Sequence, residues 1–97
     1  MRGRNTNSRG GSWTKAEIEA VWKKGTTDPR YNSNLYRADK CGNWMEYAKH
    51  GKTEKFGWEI DHIKPVALGG GDDLSNLQPL FWENNRKKGD TYPWSCV

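Results

Sequence analysis

Two short apolar runs, WEIDHI at residues 58–63 and LQPL at 77–80, are both limited by proline: Pro65 follows the first and Pro79 lies inside the second. Proline donates no hydrogen bond to a sheet ladder and holds φ near one value, so it is confined to edges, strand ends and bulges. Neither run can extend into a long central strand. The segment VALGGGDDLSN between them is built from turn-forming residues, and FWENNRKKG after them reads as a two-turn helix closed by basic residues and Gly89. The second half of the chain is therefore predicted as strand, long loop, strand, helix.

A second helix signal stands near the N-terminus. Thr14 with Glu17 three residues on forms a capping-box pattern, and Trp13 is placed to staple onto Ile18. Ile18, Val21 and Trp22 then fall on one apolar stripe, and Lys23, Lys24 and Gly25 supply the stop. Residues 26–36 read as a loop. Cys41-Gly42 suggests a turn, residues 43–49 a short helix or strand, and Gly51 and Gly57 bracket a further turn. Trp44, Tyr47 and Phe56 are the core candidates of this irregular stretch. The expected class is α+β: one small domain with a core of two antiparallel strands and a helix at 58–90, preceded by an N-terminal helix.

Ninety-seven residues suit one domain with a modest core, and a 33% apolar content concentrates burial into six Trp, four Tyr and two Phe. Residues 1–12, MRGRNTNSRGGS, carry no large apolar side chain and are expected to form a disordered basic arm, with the domain proper at 13–97. Sixteen Lys and Arg against twelve Asp and Glu leave a formal charge of +4, a mild attraction toward polyanions. Cys41 and Cys96 form no CxxC pair and no zinc-ligand pattern; they are read as two thiols of a cytoplasmic protein, with a disulfide as the alternative. No apolar run is long enough to span a membrane, so no membrane partner is expected.

The chemistry-bearing residues lie where a core strand would be expected to be apolar. Asp61 and His62 sit side by side between Ile60 and Ile63, Asn76 ends the loop, and Asn85 with Lys88 falls on the second helix. In this order and spacing, residues 58–90, WEIDHIKPVALGGGDDLSNLQPLFWENNRKKGD, resemble the HNH nucleases, the ββα-metal family, in particular small stand-alone bacterial and phage members. The resemblance makes His62 the first motif position, Asn76 the central one and Asn85 the last, an H-N-N variant. The CxxC pairs frequent in the family are missing: Phe81 and Asn84 stand where cysteines would be, so aromatic packing is expected to replace a structural zinc.

What the resemblance implies is metal-dependent endonucleolytic hydrolysis of DNA, double-stranded DNA above all, with RNA and single strands open. The residue chemistry agrees. Phosphodiester hydrolysis needs an activated water and compensation for charge on the phosphate and the leaving oxygen. An imidazole with an unperturbed pKa of roughly 6.5 can accept a proton near neutral pH, which suits His62 as general base. Asp61 and Asn85 offer hard oxygens for Mg²⁺ or Mn²⁺, with Zn²⁺ or Ni²⁺ less suited. Asn76 is expected to hold the loop that orients His62, because an amide both donates and accepts. Lys64, Arg86, Lys87 and Lys88 are the candidate nucleic-acid contacts.

Several other features are read as ordinary structure. GGGDD at 69–73 lacks the Lys-Ser/Thr of a phosphate loop and its acidic pair would repel phosphate, so it is a flexible turn. His50 is read as solvent-facing, and whether Arg37 pairs with Asp39 is left open. Neighbours on a regular strand point to opposite faces, so Asp61 and His62 can serve one phosphate only if the strand loses its regular pleat there. Two other functions stay open: a catalytically silent nucleic-acid-binding module and a nuclease toxin domain.

Overall fold

The computed structural model describes residues 4–96. Helix α1 spans Lys15–Trp22. It starts on a complete capping box, with Thr14 Oγ1 accepting from Glu17 N at 3.1 Å and Glu17 Oε1 accepting from Thr14 N at 2.8 Å. Val21 and Trp22 are its buried residues. Together with Trp13, Met45, Trp58, Ile60 and Leu77 they form the core, against which Ile18 and Tyr47 pack. Trp22 and Trp58 meet at 5.2 Å between ring centroids, which places much of the burial in two large side chains.

The stretch expected to be irregular contains a small sheet of its own. Strands β1 (Tyr36–Ala38) and β2 (Trp44–Glu46) pair antiparallel, Tyr36 opposite Glu46 and Ala38 opposite Trp44. The turn between them is organised by Asp39, which is only 2% exposed. Its Oδ1 accepts from Cys41 N at 2.9 Å and Asn43 N at 3.0 Å; its Oδ2 accepts from Phe81 N and from Asn84 Nδ2, both at 2.9 Å. One carboxylate thus joins the hairpin to the second half of the chain. Arg37 turns elsewhere, donating to the carbonyls of Ser33 and Lys23 at 2.9 and 3.0 Å.

Each hydrogen bond to a charged group contributes about 1.5–3 kcal/mol, and the two here that end on the Cys41 and Asn43 turn are only part-buried. Asp39→Ala is accordingly expected to cost about 3–4 kcal/mol. Urea unfolding checks this, and a loss below about 1 kcal/mol would show that water replaces the carboxylate.

Strands β3 (Trp58–His62) and β4 (Leu77–Phe81) form the second antiparallel sheet, and α2 (Trp82–Lys88) follows β4 directly. Their register runs from Trp58 opposite Phe81 to His62 opposite Leu77. The connection folds back tightly. A Cβ on Gly70 would lie 1.7 Å from Lys64 O, so only glycine allows that approach. At the α2 end, Asn84 donates to Asp39 Oδ2 and, at 2.8 Å, to Asn43 Oδ1. The position where a zinc-binding relative would carry cysteine therefore makes a polar cross-link to the hairpin, in addition to the aromatic packing expected.

Two expectations are corrected. The arm was expected to be disordered, yet residues 4–12 lie on the domain, with residues 1–3 outside the described range. Polar bonds hold the arm where apolar burial could not: Asn5 Oδ1 accepts from Ile60 N at 2.8 Å, and Ser8 binds Asp72. The cysteines, expected to be thiols, form a disulfide with Cα atoms 5.4 Å apart. The C-terminal tail returns to the Cys41 turn, a proximity that a sequence separation of 55 conceals. The cytoplasmic expectation loses the support it drew from free thiols. No helix among the described residues is long and apolar enough to cross a membrane.

Candidate active site

Strand β3 keeps its pairing through His62, so loss of regularity is not what brings Asp61 and His62 together. All five of its residues are buried, because both faces are covered. Trp58 and Ile60 face the core with α1, while Glu59 and Asp61 face α2. The two catalytic candidates meet instead along the strand edge away from β4. A cavity of about 640 Å³ lies there, with Asp61, His62, Asn85, Arg4 and Asn5 among its lining residues. Seen from an edge, side chains of both faces come into view, which resolves the alternation without a break in the pleat.

His62 is 3% exposed and is held on several sides. Its Nε2 lies 2.8 Å from Asp72 Oδ1, its ring packs on Trp13 at 5.6 Å, and its carbonyl accepts from Lys88 Nζ at 2.9 Å. Asp72 comes from the loop expected to be only a flexible turn. Burial alone would raise the Asp72 carboxyl, but the hydrogen bonds from His62 and Ser8 together outweigh it and hold it below the usual carboxylate value.

Asp61 has a different environment. Its Oδ1 lies 3.2 Å from Lys88 Nζ and its Oδ2 accepts from Gln78 Nε2 at 2.9 Å. Burial raises the Asp61 carboxyl above its ordinary value, and the Gln78, Lys88 and His62 contacts oppose that rise without cancelling it. Asn85 donates from Nδ2 to Glu59 Oε1 at 2.9 Å, which leaves Oδ1 as its donor atom for a ligand. Asn76 Oδ1 accepts from Lys64 N at 2.8 Å, while its Nδ2 donates to Lys64 O at 3.1 Å and Gly71 O at 2.9 Å. Ile63 N adds a bond to Asn76 O at 2.8 Å, so this one residue closes the loop beside His62.

The basic candidates divide. Lys64, Arg86 and Lys87 are exposed. Arg86 lies over the Trp82 ring at 5.4 Å. Lys88, expected to contact phosphate, is instead 2% exposed and directed to Asp61 and the His62 carbonyl. Helical spacing put it on the face of Asn85, but that face is the one packed on β3. His50, expected to face solvent, is half-buried against Trp58 with its Nε2 3.1 Å from Asn5 Oδ1, and burial lowers its pKa.

Residues 48–91 match the family model of the HNH endonuclease. This segment of the chain is similar to the HNH family. No match is found among curated proteins or among solved structures. The HNH segment contains β3, the Asn76 loop, β4 and α2, and therefore every residue that the motif assigns.

The residues of this HNH site fit a hard divalent cation. Asp61 Oδ1 meets Lys88 and Oδ2 meets Gln78, so each oxygen keeps acceptor capacity, and the Asn85 amide is turned so that its oxygen remains. Both side chains border one cavity. Among the described residues no group of three or more His, Cys, Asp or Glu could hold a metal. A pair of oxygen donors suits an ion that keeps several waters and takes the rest of its shell from phosphate.

Proposed function

We propose that the protein is a metal-dependent endonuclease that hydrolyses DNA phosphodiester bonds in the cavity along β3. The observation that carries this reading is the meeting of Asp61, His62 and Asn85 on that one cavity within the HNH segment. Asp61 and Asn85 would hold Mg²⁺ or Mn²⁺, which when bound polarises the phosphate and stabilises the departing oxygen. His62 accepts the proton of the attacking water; Trp13 and Asp72 hold its ring, and Lys88 its backbone carbonyl, without reorganisation during the reaction. Asn76 fixes the start of the loop that follows β3, where Pro65, Val66 and Ala67 line the cavity. Exposed Lys64, Arg86 and Lys87, with Arg4 at the rim, are the groups available to the phosphate backbone.

The test is incubation with supercoiled, linear and single-stranded DNA and with RNA across Mg²⁺, Mn²⁺, Zn²⁺ and EDTA. Expected is nicking or linearisation of plasmid in Mg²⁺ or Mn²⁺, abolished by EDTA and by Asp61→Ala. Salt-sensitive binding without cleavage under every metal would identify a silent binding module instead.

A further inference from the structure

We infer that Asp72, clamped by Ser8 of the N-terminal arm, is the positioning residue that selects which nitrogen of His62 carries the lone pair. The inference deepens the nuclease reading and rests on it for its catalytic consequence, but its structural content stands apart. Three elements distant in sequence converge here. Ser8 N lies 3.0 Å from Asp72 Oδ1, Ser8 Oγ donates to Oδ2 at 2.8 Å, and His62 Nε2 lies 2.8 Å from Oδ1. Asp72 and Ser8 are 64 positions apart, so the contact is tertiary.

A carboxylate can only accept. Beside a neutral imidazole it retains the proton on the nitrogen that faces it, so Nε2–H is the favoured tautomer and Nδ1 is left as the basic atom. The contact also fixes the orientation of the ring, as carboxylates do beside catalytic histidines elsewhere. Holding Asp72 in place matters because it sits on an exposed Gly-rich loop with glycines on its N-terminal side. Two donors from Ser8, backbone and hydroxyl, fix both carboxylate oxygens and leave one of them directed at His62. Asn5 anchors the same arm to the β3 edge through Ile60 N, so the arm is tied down on either side of the cavity wall to which Arg4 and Asn5 contribute. The arm thereby becomes part of the catalytic unit.

The proposal is tested in two independent ways. Nitrogen-15 NMR of the His62 ring at neutral to alkaline pH reports the tautomer directly and needs no cleavage activity. The wild type is expected to show Nε2–H, Asp72→Ala a mixture of tautomers, and Asp72→Glu a return toward Nε2–H. Kinetics on plasmid DNA at saturating Mg²⁺ or Mn²⁺ form the second arm. Asp72→Ala is expected to lower kcat by roughly ten- to a hundredfold with KM and thermal midpoint little changed, Ser8→Ala by a smaller factor, and Asp72→Glu to recover part of the loss. An unchanged tautomer in Asp72→Ala overturns the inference. So does a rise in kcat, which would mean that Asp72 blocks His62. If the wild type cleaves nothing in any metal, the nuclease reading fails, while the ring spectrum still decides whether Asp72 sets the tautomer.

Discussion

Replacing His62 by glutamine is expected to lower the turnover of metal-supported DNA cleavage by roughly 10²–10⁴-fold, the range for losing a positioned general base. Glutamine is preferred to alanine because His62 is 3% exposed and packs on Trp13, so truncation would also open a cavity. The amide can still meet Asp72 but cannot accept the proton of water at neutral pH. The check is single-turnover cleavage of plasmid beside a thermal melt. A folded H62Q variant that keeps more than about a tenth of wild-type turnover would remove His62 from the reaction.

Lys88→Met is expected to destabilise the fold by about 3–5 kcal/mol, the usual cost of leaving one member of a buried ion pair alone. Methionine keeps the apolar stem, so the loss isolates the ammonium. In the wild type Lys88 Nζ sits 3.2 Å from Asp61 Oδ1 and 2.9 Å from the His62 carbonyl, with 2% of the residue exposed. Without it, a carboxylate and a carbonyl lose their shared donor. Adding Asp61→Asn should recover much of the loss, because removing both charges of such a pair costs far less than removing one.

The pH dependence has a definite sign. Burial already raises the Asp61 carboxyl, and Lys88 is one of the groups opposing that rise. Removing Lys88 therefore raises it further. A group whose folded pKa lies above its unfolded value contributes stability that is present below the unfolded pKa and lost as pH rises through the folded one. The deficit of K88M is thus smallest in acid and largest at neutral pH and above. Urea titrations of the two single variants and the double variant form the required cycle. A deficit below about 1 kcal/mol, or no recovery on adding D61N, would show that the two charges are not coupled.

Much of the fold was legible locally. The capping box at Thr14 and Glu17 needs only four residues, and α1 begins there. The two proline-limited runs became five-residue strands, and the basic stretch ending at Gly89 closed a seven-residue helix. The β1–β2 hairpin was not legible, because its strands are three residues long and its order depends on Asp39 reaching Phe81 and Asn84. Composition also misled at the arm: nine described residues without a large apolar group are held by a few polar bonds to a surface that the arm's own sequence does not describe.

For the site, the resemblance carried by residues 58–90 named Asp61, His62, Asn76 and Asn85 as the candidates, since chemistry of this kind demands particular side chains at particular intervals. Which groups surround them was decided only in three dimensions. Asp72 looked like a turn residue until Ser8 and His62 met it, and Lys88 looked like a phosphate contact until α2 packed its face on β3. Asp61 and His62 converge at a strand edge rather than through a broken pleat. The physical reason is common to all three: a sequence states what each side chain can do, whereas burial and distance, which set what it does, arise only when remote segments close around one cavity.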